Sequence, residues 1–77
     1  MKFQLLETVV LLRDMPEHGL RAGDLGVVVE VYGPEGLEVE FVTASGRAQA
    51  VVTLSPKDVR KLSPRDMFAV RPLQKVP

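Results

Sequence analysis

The chain contains no cysteine, tryptophan, isoleucine or asparagine. Without cysteine, neither a disulfide nor a thiolate metal site can brace the fold. A domain of 77 residues lies near the lower limit for folding on one apolar core. That core must suffice, or a partner must cover what it leaves exposed. Aromatics are also scarce, with three Phe and one Tyr. This argues against an aromatic-lined groove for Pro-rich peptides and leaves few platforms for stacking on bases. There is a single histidine, His18. A general base needs an orienting partner and a metal site needs several ligands, so His18 reads as an exposed loop residue. No stretch approaches the about 20 apolar residues that span a bilayer. The opening "MKFQLLETVVLL" is interrupted by Glu7 and has no small-residue cleavage site after it. It reads as mature protein, and the expected location is cytoplasmic.

Apolar residues make up 45% of the chain, enough for a small core. The ten basic and ten acidic side chains cancel, but they are unevenly placed. Residues 1–40 hold eight acids and three bases (3 − 8 = −5), and residues 41–77 hold two acids and seven bases (7 − 2 = +5). Mixed charge of this kind is expected to neutralise itself once the halves fold together. The lack of Asn and Cys, with six prolines, is a composition that fits a thermophile.

The valines and leucines fall into short runs separated by Gly and Pro. Thr8–Arg13 is β-branched at its start and reads as a first, buried strand. "DMPEHGLRAGD" is a long loop in which Gly19 and Gly23 are expected at φ > 0. Gly26 opens a second strand, Val27–Tyr32, at a point of bending or close backbone approach. Leu37–Val42 alternates strictly, with Leu37, Val39 and Phe41 on one face and Glu38 and Glu40 on the other. Arg47–Leu54 is a fourth strand. If Ser45-Gly46 is a two-residue turn, Ala44 faces Arg47, and Phe41, Val39 and Leu37 face Ala50, Val52 and Leu54. The preceding hairpin needs an odd loop, met by three residues with a left-handed glycine. Val27, Val29 and Val31 are then expected inward, and Glu30 comes near Glu38 and Glu40. "SPKD" reads as a helical turn capped by Ser55 with Pro56 first, before a short fifth strand, Val59–Leu62. The fold class is all-β: a small five-stranded SH3-like barrel with a short helical turn before the last strand and a C-terminal extension. Residues 1–62 form the barrel. Residues 63–77 form the extension, packed on the barrel or on a partner chain, with Met67–Arg71 a candidate further strand.

The chain is similar to a known family through the Val9–Leu12 strand, Asp14, Pro16, Gly19-Leu20, Gly23, Gly26, the Val28–Val31 run and Glu38–Phe41. From about Leu5 to Leu62 it resembles an uncharacterised bacterial family of small SH3-like barrels, domain-of-unknown-function family 4926. The resemblance implies the fold and no catalytic or binding residues.

Charged and apolar side chains outside the strand cores supply the candidate surfaces. Glu30, Glu38 and Glu40 form an acidic face on a barrel too small and too full for a reaction chamber. Arg60, Lys61, Arg65 and Arg71 form a basic region able to meet phosphates. Phe68 belongs to a tail too apolar for a solvated end. "GLRAGDLG" lacks the lysine and following Ser or Thr of a phosphate loop. The function expected from these residues is non-enzymatic protein–protein interaction, with no cofactor and no metal. The partner is a protein or a second copy, engaged through strand edges or the tail, and not a membrane. The alternative is a nucleic-acid-associated barrel using the basic C-terminal region.

Overall fold

The computed structural model describes residues 2–73. They form five antiparallel strands: β1 (Thr8–Leu11), β2 (Leu25–Val31), β3 (Leu37–Val42), β4 (Ala48–Leu54) and β5 (Val59–Lys61). The order across the single sheet is β4-β3-β2-β1-β5. A meander of three strands is thus flanked by β1, with the last strand returning beside the first. This is the arrangement expected of a small SH3-like barrel. Two 3-10 turns interrupt the strands, Pro16–His18 and Pro56–Asp58. The second has the predicted cap. Ser55 Oγ accepts from the Lys57 N–H, while the Asp58 carboxylate accepts from the Ser55 N–H, so each end satisfies the other.

The sheet coils around one cluster of buried side chains. Val9 and Leu11 come from β1, Val28 from β2, and Leu37, Val39 and Phe41 from β3. Val52 and Leu54 come from β4, and Val59 from β5. The long loop adds two further members, Met15 and Leu20, joined by a β-bridge. The loop therefore closes one end of the core instead of lying over it. Asp14 accepts from the Ala22 N–H at 2.9 Å, and Asp24 from the Arg21 N–H at 2.8 Å, which bends the loop back toward β2. Gly19 and Gly23 do take positive φ, 69° and 98°.

Gly26 is required by packing. A Cβ there would lie 2.5 Å from Val39 Cγ1 and 2.9 Å from Phe41 Cε1. The absent side chain lets β2 settle against the core face of β3.

Two expectations about register are corrected. The β3–β4 pairs are as read from alternation: Leu37 with Leu54, Glu38 with Thr53, Val39 with Val52, Glu40 with Val51 and Phe41 with Ala50. The turn is different. Thr43 N–H donates to the Arg47 carbonyl and Gly46 N–H to the Thr43 carbonyl, with Gly46 at φ 86°. Ala44 therefore does not face Arg47. The turn holds three residues, and an irregularity past Phe41, where Val42 meets Ala48, restores the register.

In β2 the inward residues are Gly26 and Val28, not Val27 and Val29. The loop Gly33–Glu35 has the expected three residues, and Gly33 lies at φ 103°. Between Val28 and Glu30 the pairing slips, so that Val28 faces Val39 while Glu30 faces Glu38. Val29 is the extra residue of a bulge. Val31 then returns to the core, packed against its cluster.

The segment Met67–Arg71 is not a strand. Residues 67–73 have no regular secondary structure. Lys75, a further base of the C-terminal extension, lies outside the described residues.

Candidate functional site

Two surfaces contain the charged and apolar residues singled out from the sequence. The first is the outer face of β2, β3 and β4. Glu30 and Glu38 stand directly opposite each other, and Glu40 lies between Val27 and Val51 in the next row. Like charges placed opposite each other weaken a sheet. Here the opposition is softened by Thr53, whose Oγ1 donates to Glu38 Oε1 at 2.6 Å. None of the three carboxylates has an ion-pair partner among the described residues. Tyr32, at the end of β2, registers their field. Partial loss of water raises its hydroxyl pKa, and the charges of Glu38 and Glu30 raise it further.

The second surface is the C-terminal arm, residues 62–73, which crosses the outer side of the barrel. Val10 points away from the main core, in a row with Leu25 and Arg60, yet is only 6% exposed. The arm covers it. Val10, Leu25 and Arg60 share a crevice of about 240 Å³ with Met67, Phe68 and Ala69. A wider groove of about 450 Å³ runs between the arm at Ala69–Leu73 and the barrel at Leu20, Leu25, Phe41 and Val42.

Two arginines fasten the arm. Arg60 spans both oxygens of Asp66, at 2.9 and 2.8 Å. Asp66 also accepts from the Ser63 N–H at 2.7 Å. These donors hold its carboxyl down to about 2. Arg71 spans both oxygens of Asp24, at 3.0 and 2.6 Å, and donates to the Gly19 carbonyl at 3.0 Å. Burial alone would raise the Asp24 carboxyl, but Arg71 and the Arg21 N–H outweigh it and its pKa falls below the ordinary value. The fork-like guanidinium fixes direction as well as distance, which a lysine would not.

The basic region is therefore largely occupied. Arg60 and Arg71 are bound to carboxylates. Lys61 Nζ lies 3.2 Å from Glu7 and sits over the Phe3 ring, 5.5 Å from its centre. Arg65 is exposed, with no carboxylate partner among the described residues. Three ion pairs, Arg13–Asp58, Lys61–Glu7 and Arg71–Asp24, join the acidic half of the chain to the basic half. Lys61–Glu7 and Arg71–Asp24 set the majority charge of one half against that of the other and neutralise the asymmetry in part, whereas Arg13–Asp58 joins the minority charges of the two halves. Among the described residues the three carboxylates of the sheet face remain without ion-pair partners.

The arm directs large apolar groups outward. Met67 is 92% exposed, Phe68 73% and Val70 99%. His18 is half-buried, and its carbonyl accepts from Gln49 Nε2 at 3.1 Å. Among the described residues no group of three His, Cys, Asp or Glu side chains is arranged to hold a metal ion. No helix among them is long and apolar enough to cross a membrane.

The fold and surfaces define a small all-β domain, five antiparallel strands in one coiled sheet, with a fastened arm. Residues 5–61 match the family model described as a domain of unknown function, DUF4926, and the chain belongs to that family. The match stops before the arm. No curated protein and no solved structure matches the chain.

Proposed function

We propose that this chain is a non-enzymatic protein-interaction module of the cytoplasm, and that its partner is another polypeptide or a second copy of itself. The observation that carries this reading is the arm. Two bidentate arginine–carboxylate pairs hold it against the barrel. The same segment turns Met67, Phe68 and Val70 to solvent. Ordering a chain segment costs about 1–2 kcal/mol per residue in backbone entropy. An arm fixed in this way presents a preorganised apolar strip, the feature that reduces the ordering cost of association. Large exposed side chains grouped on one segment mark interaction sites in soluble proteins.

The N-terminal segment is built into the barrel. Leu6 N–H donates to the Val28 carbonyl, and Val28 N–H donates to that of Glu7. The nucleic-acid reading has less support. Arg60, Lys61 and Arg71 already face carboxylates, and phosphate would have to displace them.

Photo-crosslinking tests the proposal. A photoreactive residue replacing Phe68 is expected to give a discrete protein adduct in intact cells. The same residue at the exposed turn position Glu35 is expected to give none. Adducts with nucleic acid alone, or identical diffuse labelling at both positions, would reject the proposal.

A further inference from the structure

We infer that the free edge of β4 is a second binding surface, separate from the arm. It rests on the interaction-module reading but uses different residues. Gly36 turns its carbonyl toward β2, accepting from the Tyr32 N–H at 2.9 Å. In an antiparallel ladder the backbone alternates sides from residue to residue. Leu37, Val39 and Phe41 therefore bond to Leu54, Val52 and Ala50 across the β3–β4 pairing. It follows that Val51 and Thr53 direct their N–H and C=O groups away from β3. Among the described residues no backbone group and no side chain bonds to them there.

This edge lacks the usual protection. Sheet edges are commonly guarded by lysine, proline or a covering loop. β4 reads AQAVVTL, with no charge and no proline. Gln49, tied to the His18 carbonyl, marks where the long loop meets the strand. Val51 and Thr53 beyond it are exposed.

The neighbouring face decides what fits. Val51 and Thr53 stand beside Glu40 and Glu38, with Glu30 one strand further on. An added strand would lie about 10 Å from β3, two strand spacings away. That span is within reach of a Lys or Arg meeting a Glu. We propose that β4 accepts an extended segment of a partner protein that presents Lys or Arg at alternate positions over Glu38 and Glu40. Backbone bonds to Val51 and Thr53 supply the register, and the carboxylates select the basic side chains. Self-pairing of two β4 edges is disfavoured by the same charges. It would place Glu30, Glu38 and Glu40 of both copies on one continuous face.

The test uses the full chain and a short labelled peptide of alternating Lys and Val. Anisotropy should show binding at low salt that weakens by about tenfold or more at several-fold higher ionic strength. Amide resonances of Val51 and Thr53 should shift on titration, and a Glu–Val peptide should not bind. Thr53→Pro removes an outward donor while sparing the β3 ladder and is expected to abolish binding. E38Q/E40Q, which leaves the backbone untouched, should also lose it and keeps the test valid if the proline variant fails to fold. Absence of peptide binding at low salt would overturn the inference, as would binding that survives E38Q/E40Q. Loss of binding on M67S/F68S with the edge resonances unmoved would overturn it as well, leaving the arm as the contact surface. A chain that dimerises through β4 at neutral pH would refute the argument from charge.

Discussion

The barrel and the arm use the same kinds of side chain in opposite ways. In the barrel, Leu37, Val39 and Phe41 are buried and the charges lie outside. In the arm, the charges make the contacts, while Met67, Phe68 and Val70 meet solvent. One region is held by removal of apolar surface from water, the other by guanidinium–carboxylate geometry. The two should therefore separate under conditions that affect only one of these forces.

The largest effect is expected in the barrel. Leu37→Ala empties a site that is 1% exposed and should cost about 2–5 kcal/mol in urea unfolding. A cost below that range would mean the core can collapse around the gap. Gly26→Ala inserts a Cβ against Val39 and Phe41 and should cost about 1–3 kcal/mol. Arm variants should behave differently. Arg71→Gln leaves the barrel core untouched, so global unfolding should shift by no more than about 1 kcal/mol, while amide exchange over residues 66–73 accelerates. Equal loss of protection in β3 would erase the distinction between the regions.

Acid should release the arm before the barrel. Asp66, held at about 2, and Asp24, also lowered, have folded pKa values below their unfolded ones. The stabilisation they confer is therefore complete above the unfolded carboxylate range, about pH 4. It declines as pH falls below that and is lost as pH passes each folded pKa, near 2 for Asp66. Fluorescence from a probe at position 70, followed from pH 5 to 2, should report this loosening. The smallest effect is that of salt at neutral pH. Raising ionic strength should speed exchange in the arm slightly and leave the barrel unchanged.

Much of the barrel could be read in the sequence because alternation carries phase. Leu37-Glu38-Val39-Glu40-Phe41 states which face is inward, and its five pairings with β4 follow. The run Val27-Val28-Val29 carries no phase, since every position is the same residue. The bulge at Val29 was hidden for that reason. The inward turn of Met15 and Leu20 was hidden too, because a loop rich in Gly and charge gives no periodicity to count. Among the candidate surfaces, the grouping of Glu30, Glu38 and Glu40 follows from strand register. The fastening of the arm does not. Arg71 and Asp24 are 47 positions apart, and an ion pair across such a distance leaves no local pattern. Lys61 and Arg71 consequently read as free cations in one dimension, whereas Arg60 and Asp66 are only 6 positions apart and that pairing has a local spacing the sequence displays.

The bulge at Val29 ties the interior to the exterior. That one added residue aligns Glu30 with Glu38 and also returns Val31 to the core. Were Val29 instead paired in a regular ladder, Glu30 would turn inward and Val31 outward together. Inheritance of the surface charge pattern is thereby coupled to inheritance of the interior, so a lineage that keeps one is constrained to keep the other.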